Sequence, residues 1–171
     1  PALEMLAMAE KPITIFAKTL SRIRSEDGLT IIPEKSIDEL NLNEYDSLLL
    51  PGAIDIREAI EDNAILDFIK KFEGMPIGAI SIAPLLLLKA GLLEGKPFMA
   101  GVNPEDLFEE GYTTDDLALM IGWDASLENP IPEGYIQSES IVTSVSYNFV
   151  RWALAFGKML GIDLPPKTFG L

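Results

Sequence analysis

The 171-residue sequence contains no cysteine and no histidine. Without cysteine there is no disulfide, no thiolate metal site and no thiol nucleophile. Without histidine, the usual zinc ligand and the usual general base are missing too. Basic residues are scarce: 13 Lys and Arg stand against 27 Asp and Glu, a net charge of −14. Such a surface repels phosphate backbones and anionic lipid heads, so neither nucleic acid nor a membrane is an expected partner. The acidity itself reads as solubility. No apolar run approaches the roughly 18 residues of a membrane span, and no basic leader precedes a cleavage site, so the expected address is the cytoplasm. Gly-rich phosphate loops, repeats and low-complexity stretches are absent as well.

What is present is one domain's worth of chain, residues 1–171, long enough to bury roughly 70% of its unfolded surface. Residues 1–11 predict a helix with Leu3, Leu6 and Ala7 on one face. Short β-rich runs follow at 13–17 and 29–32, and a buried strand at 45–52 ends in Pro51-Gly52. Apolar Ile60, Ile65, Leu66, Phe68 and Ile69 among charges predict one amphipathic helix over 58–72. The run 76–83 passes directly into a helical stretch stopped near Gly91. Residues 96–101 read as a strand, 135–145 as one or two more, and 147–160 as a closing helix before a tail at 163–171. Strands alternating with helices imply crossovers and a mainly parallel sheet between helical layers, an α/β three-layer sandwich. In such sheets the chemistry gathers beyond the carboxyl ends of the strands.

The most informative segment is Gly78-Ala79-Ile80-Ser81-Ile82-Ala83-Pro84. A residue on a sharp strand-to-helix turn is lifted above the sheet, and its neighbours two positions away must be small. Ala79 and Ala83 meet that need. The N–H groups that follow, beginning with Ile82, lie at a helix start and can face a developing oxyanion. Serine is also a preferred helix N-cap, so the local pattern by itself admits a purely structural role.

YDSLLLPGAID (45–55) followed by IGAISIAPLLLLKAGLLEGK (77–96) resembles the paired signatures of the ThiJ/PfpI family, part of the class I glutamine-amidotransferase-like superfamily. In that family a strand ends in Pro-Gly-Gly and a later one in Ala-Ile-Cys-x-Gly-Pro. RSEDGLTIIPEKSIDEL (24–40), IVTSV (141–145) and VRWALAFGKMLG (150–161) resemble three further pieces in the right order. The resemblance spans about residues 1–162 and implies a flavodoxin-like sheet and a homodimer.

The departures matter for function. Ser81 holds the place of the family's nucleophilic cysteine, and a hydroxyl needs a base to attack. The family's histidine falls in 98–102, where Ala100 or Gly101 stands. The oxyanion turn is Pro51-Gly52-Ala53, which still presents its N–H if Ala53 keeps a negative φ. Pro1 matches a proline that follows the family's first strand and its glutamate, so a first strand is expected before Pro1. Loss of both thiol and imidazole fits drift better than a single engineered exchange.

The resemblance therefore implies a catalytically degenerate member. It would bind a small carbonyl, amide or metabolite at the elbow pocket through Ser81 and the amides of Gly52, Ala53 and Ile82, with Ala100, Gly101 and Trp123 as pocket wall. The alternative is an active amidase, protease, glyoxalase or isonitrile hydratase type of enzyme using Ser81 with a base from elsewhere. A third possibility is a sensor domain, against which stands the lack of a helix-turn-helix segment after 162. No cofactor and no metal are expected: Glu105-Asp106, Glu109-Glu110 and Asp115-Asp116 match no ligand loop and read as solvated faces. A Ser–Lys pair is also disfavoured, since Lys89 lies about 12 Å along the helix from Ser81; the sequence does not place Lys96. Trp123, in the Pro-rich loop 121–134, reads as an anchor for that loop.

Overall fold

Aliphatic strands without charge need burial on both faces, and the chain supplies helices to cover them. The computed structural model describes residues 1–171. In chain order the elements are α1 (Ala2–Met8), β1 (Phe16–Ala17), β2 (Ile23–Arg24), β3 (Thr30–Ile31), β4 (Lys35–Ser36), β5 (Leu48–Leu50), α2 (Arg57–Ile60), α3 (Asn63–Lys70) and β6 (Ile77–Ile80). There follow α4 (Pro84–Lys89), β7 (Phe98–Met99), β8 (Met120–Ile121), α5 (Trp123–Glu128), β9 (Ile136–Ser138), β10 (Ile141–Ser144) and α6 (Phe149–Met159).

The central sheet runs β5-β6-β10-β9, parallel except for the β10–β9 hairpin. Two further parallel pairs, β1–β4 and β7–β8, and the antiparallel β2–β3 hairpin flank it. The Thr143 hydroxyl of β10 accepts a hydrogen bond from the Met99 amide at 3.0 Å, tying β7 to the sheet. Strand alternation sorts the side chains into two cores. Leu48, Leu50, Ile77, Ala79 and Ile141 join α2, α3 and α4 in the larger. Ile80 and Val142 meet Met5 and Leu6 of α1 and Trp152 and Phe156 of α6 in the smaller. Helices thus cover both faces, the expected α/β three-layer sandwich.

Local departures from the sequence reading have identifiable causes. In α1 the buried pair is Met5 and Leu6, while Leu3 is 56% exposed and Ala7 is also exposed. Met5 takes the inward position because Gly157 leaves it room: a Cβ there would lie 2.3 Å from the Met5 sulfur. The helix expected over 58–72 is two, broken where the Asp62 carboxylate accepts the Ala64 amide at 3.0 Å and caps α3. The loop expected over 121–134 contains the end of β8 and all of α5. β8 exists through pairing with β7, some twenty residues earlier, which no local pattern discloses.

Tyr112 closes the rim of the larger core, its hydroxyl donating to the Leu85 carbonyl at 3.4 Å and its ring under Lys89 Nζ at 4.3 Å. Burial, then the nearby carboxylates of Glu110 and Asp116, push its phenol well above the ordinary 10.0. The folded chain therefore holds that proton more tightly than the unfolded chain. Stability from this group is complete below about pH 10 and is lost as pH rises beyond it, because unfolding then releases a proton. Replacing Tyr112 by Phe should flatten the fall in urea midpoint between about pH 9 and 11. An unchanged slope would count against this account.

Candidate functional site

β6 is fully buried along its length and ends where the chain must turn into α4. Ser81 makes that turn with φ +61°, in the left-handed region that residues with a Cβ seldom occupy. Two backbone bonds fix it there. The Ser81 amide donates to the Ser144 carbonyl at 2.9 Å, and the Ser81 carbonyl accepts the Gly101 amide at 2.7 Å. The elbow is thus clamped between the end of β10 and the turn after β7. Such strain, of order 1–3 kcal/mol, persists where the surroundings over-determine it and clusters at functional sites.

Two glycines make the space. A Cβ on Gly52 would lie 2.6 Å from Ser81 Cβ and 3.1 Å from its Oγ. One on Gly101 would lie 3.1 Å from Ser81 Cα and 3.2 Å from Oγ. Of the two candidates for the imidazole position, Gly101 therefore faces the hydroxyl, while Ala100 is sealed in the larger core. The sequence by itself left that choice open.

Unpaired amides lie beside Ser81 in the chain and in the Gly52 turn that packs against it. The amides of Gly52, Ala53 and Ile82 donate to no backbone acceptor. Ala53 stays out of the left-handed region, as an N–H-presenting turn with a side chain requires. The Ser81 hydroxyl is half-buried and is not a sealed, partnerless atom, so it is accessible from outside.

Side-chain bases are engaged elsewhere. Lys89 sits over Tyr112, and Lys96 donates to the Leu92 carbonyl and pairs with Glu139 at 2.9 Å. Asp55, just beyond Ala53, is clamped by Arg57, whose side-chain and then backbone N–H groups hold its carboxyl down at about 2. This pair is exposed and was overlooked in the sequence, where an Asp and an Arg two residues apart look like surface charge. The acidic pairs Glu105-Asp106 and Glu109-Glu110 lie exposed on a 3-10 turn at Pro104–Glu110, and Asp115-Asp116 is exposed beyond it.

Trp123 is half-buried one turn further out. Its amide donates to the Val102 carbonyl at 3.1 Å, next to Gly101. Its ring meets Tyr147 edge-on at 5.3 Å, and the Tyr147 hydroxyl bonds Ser126 at 2.9 Å. Asn103 and Asp124 exchange two bonds of 2.9 Å beside it. The tryptophan thus anchors α5 against the turn that carries Gly101. Tyr147, Ser126 and Ser144 were not singled out in the sequence, where nothing marks them.

The chain is 35% identical over 105 residues to "Protein/nucleic acid deglycase 2" of Escherichia coli, covering 58% of this chain and 60% of that one. It is 33% identical over 76 residues to "Deglycase PfpI" of Pyrococcus furiosus, covering 43% and 46%. The aligned stretches thus span about half the length of these relatives. Among solved structures, a two-domain protein of Anabaena variabilis with DJ-1/ThiJ/PfpI-like and ferritin-like domains superposes with a TM-score of 0.75. It is 15% identical, and the match covers 99% of this chain and 47% of that one. A DJ-1 superfamily protein of Agrobacterium tumefaciens gives 0.73 at 19% identity, over 98% and 86%. Those likenesses speak to the fold; the family follows from the sequence profile matching residues 2–157, by which the chain belongs to the DJ-1/PfpI family.

Proposed function

We propose that the protein binds the carbonyl or amide oxygen of a small metabolite at the elbow pocket, without the parental thiol chemistry. The observation that carries this reading is Ser81, held at φ +61° with an accessible hydroxyl, next in the chain to the free amide of Ile82 and packed against Gly52 in the turn whose Gly52 and Ala53 amides are also free. Relatives named deglycases share the family, and small carbonyl compounds suit a cradle of N–H donors. Ser81 and the amides supply the hydrogen bonds; Gly101 keeps the entrance open, and Trp123 steadies the wall.

The test is an amide-detected NMR titration with small aldehydes, ketones and primary amides. The Ile82 amide should shift, Ser81→Ala should weaken binding about 5–10-fold through loss of one hydrogen bond, and Gly101→Val should abolish it. Unchanged binding in Gly101→Val would remove the pocket from the reading.

The strained elbow itself favours a second reading, an enzyme that uses Ser81 as nucleophile with a base that does not touch the hydroxyl in this chain. A fluorophosphonate probe should then label Ser81 and fail on Ser81→Ala. No labelling at high probe concentration ends that reading for hydrolase-type substrates.

A further inference from the structure

A groove of about 490 Å³ runs along α6 and shares no residue with the elbow. Its size falls within the roughly 300–1,000 Å³ of small-ligand sites. Arg151, Leu154, Ala155 and Lys158 form its floor, the i, i+3, i+4, i+7 stripe of one helix face. Leu154 and Ala155 are buried, whereas Arg151 and Lys158 are exposed. The floor is therefore apolar in the middle with a cation at each end. By helical rise the two cationic residues stand about 10.5 Å apart along the axis.

Both walls are fixed by bonds of their own. One carries Glu133 and half-buried Tyr135. Arg151 donates to the Pro132 carbonyl at 3.2 Å, and the Gly134 carbonyl accepts the Ser144 hydroxyl at 2.6 Å. The Arg151 stem lies against Gly134, where a Cβ would come within 2.9 Å of its Cδ. The other wall is the segment 163–166. It is held by the Ile162 amide, which returns to the Gly157 carbonyl at 2.9 Å, and by Leu164, which packs on the smaller core. A groove formed in advance costs little ordering when it is filled.

The charges select the occupant. Arg151 and Glu133 line the groove toward the start of α6, Lys158 and Asp163 toward its end. None of the four is in an ion pair. They sum to zero within a chain of net charge −14, which disfavours an anion and admits a neutral zwitterion. The helix dipole favours a negative group at the start of α6 and a positive one at its end. Beyond its bond to Pro132, the Arg151 guanidinium has donors to spare in the planar fork that suits a carboxylate.

We propose that this groove binds a short apolar peptide of about three residues with free ends, its carboxylate on Arg151 and its ammonium on Asp163. Three extended residues span about 10–11 Å, which matches the separation of the charged ends. The peptide's side chains would rest on Leu154 and Ala155, between Tyr135 and Leu164.

The experiment is an amide-detected NMR titration of the whole chain with the peptide Leu-Ala-Leu, its N-acetyl form and its C-terminal amide. Leu-Ala-Leu should shift the Tyr135 and Leu154 amides and leave that of Ile82 in place. Blocking either end should weaken binding about 10-fold or more, the scale of one hydrogen bond to a charged group. Arg151→Gln should erase the difference between acid and amide, and Asp163→Asn the difference between free and acetylated amine. Equal binding of all three peptides overturns the proposal, as does the absence of shifts at millimolar peptide. Shifts centred on Ile82 overturn it too, because they place the peptide at the elbow. If each substitution erases the other's difference, the assignment of the two ends is overturned. The three peptides are compared on the unaltered chain, so the proposal can fail even where a variant does not fold.

Discussion

Replacing Trp152 by alanine is expected to cost about 3–5 kcal/mol, the range for deleting a large buried aromatic. Trp152 is 3% exposed, lies stacked with Phe156 at 6.4 Å, and its indole N–H donates to the Val142 carbonyl at 3.1 Å. It presses on the sheet where Gly78 has no side chain: a Cβ at 78 would meet Phe156 at 2.9 Å and Trp152 at 3.1 Å. Truncation therefore leaves a cavity, and the smaller core has few other large groups to collapse into the space. Urea unfolding with an unchanged slope measures the loss directly. Trp152→Phe should lose less, because most of the packing survives and only the hydrogen bond goes. A loss under about 1 kcal/mol for the alanine variant would mean that α6 does not depend on this contact.

The second large effect is a pair of opposite signs at one position. Ser81→Val should destabilise by about 3 kcal/mol or more, since a β-branched residue at φ +61° is a true outlier. Its added methyl groups must also enter the space kept clear by Gly52 and Gly101, where Ser81 Oγ is already the atom nearest a virtual Cβ after the backbone and Cβ contacts. Ser81→Gly should instead stabilise by about 1 kcal/mol, as the left-handed turn then carries no strain. Both variants are compared by chemical denaturation alongside Ser81→Ala. If glycine also destabilises, the elbow is not strained, and the fold does not hold this hydroxyl up at a cost in stability.

These expectations rest on residues that were visible in the sequence to different degrees. The segment 76–84 disclosed its turn, because an apolar run ending in small residues before a proline has few ways to continue. Pro51-Gly52 was equally legible, and 135–145 was legible as one or two strands, though not as the hairpin it forms. Gly101 was half legible: the resemblance pointed to 100 or 101, and the direction of a Cβ relative to Ser81 chose between them. The Met120–Ile121 strand, the inward turn of Met5 and the engagement of Lys96 were not legible at all.

The sequence by itself determined the layers and the place of the elbow. Periodicity, turn residues and the lack of cysteine and histidine are local properties, and they limit both the fold class and the chemistry. Tertiary structure alone decided which residues face Ser81 and which amides lack acceptors. Those facts depend on contacts between segments 20 to 65 residues apart in the chain, as with Ser81 against Gly101 and against Ser144, and packing between distant segments leaves no periodic trace in the order of residues.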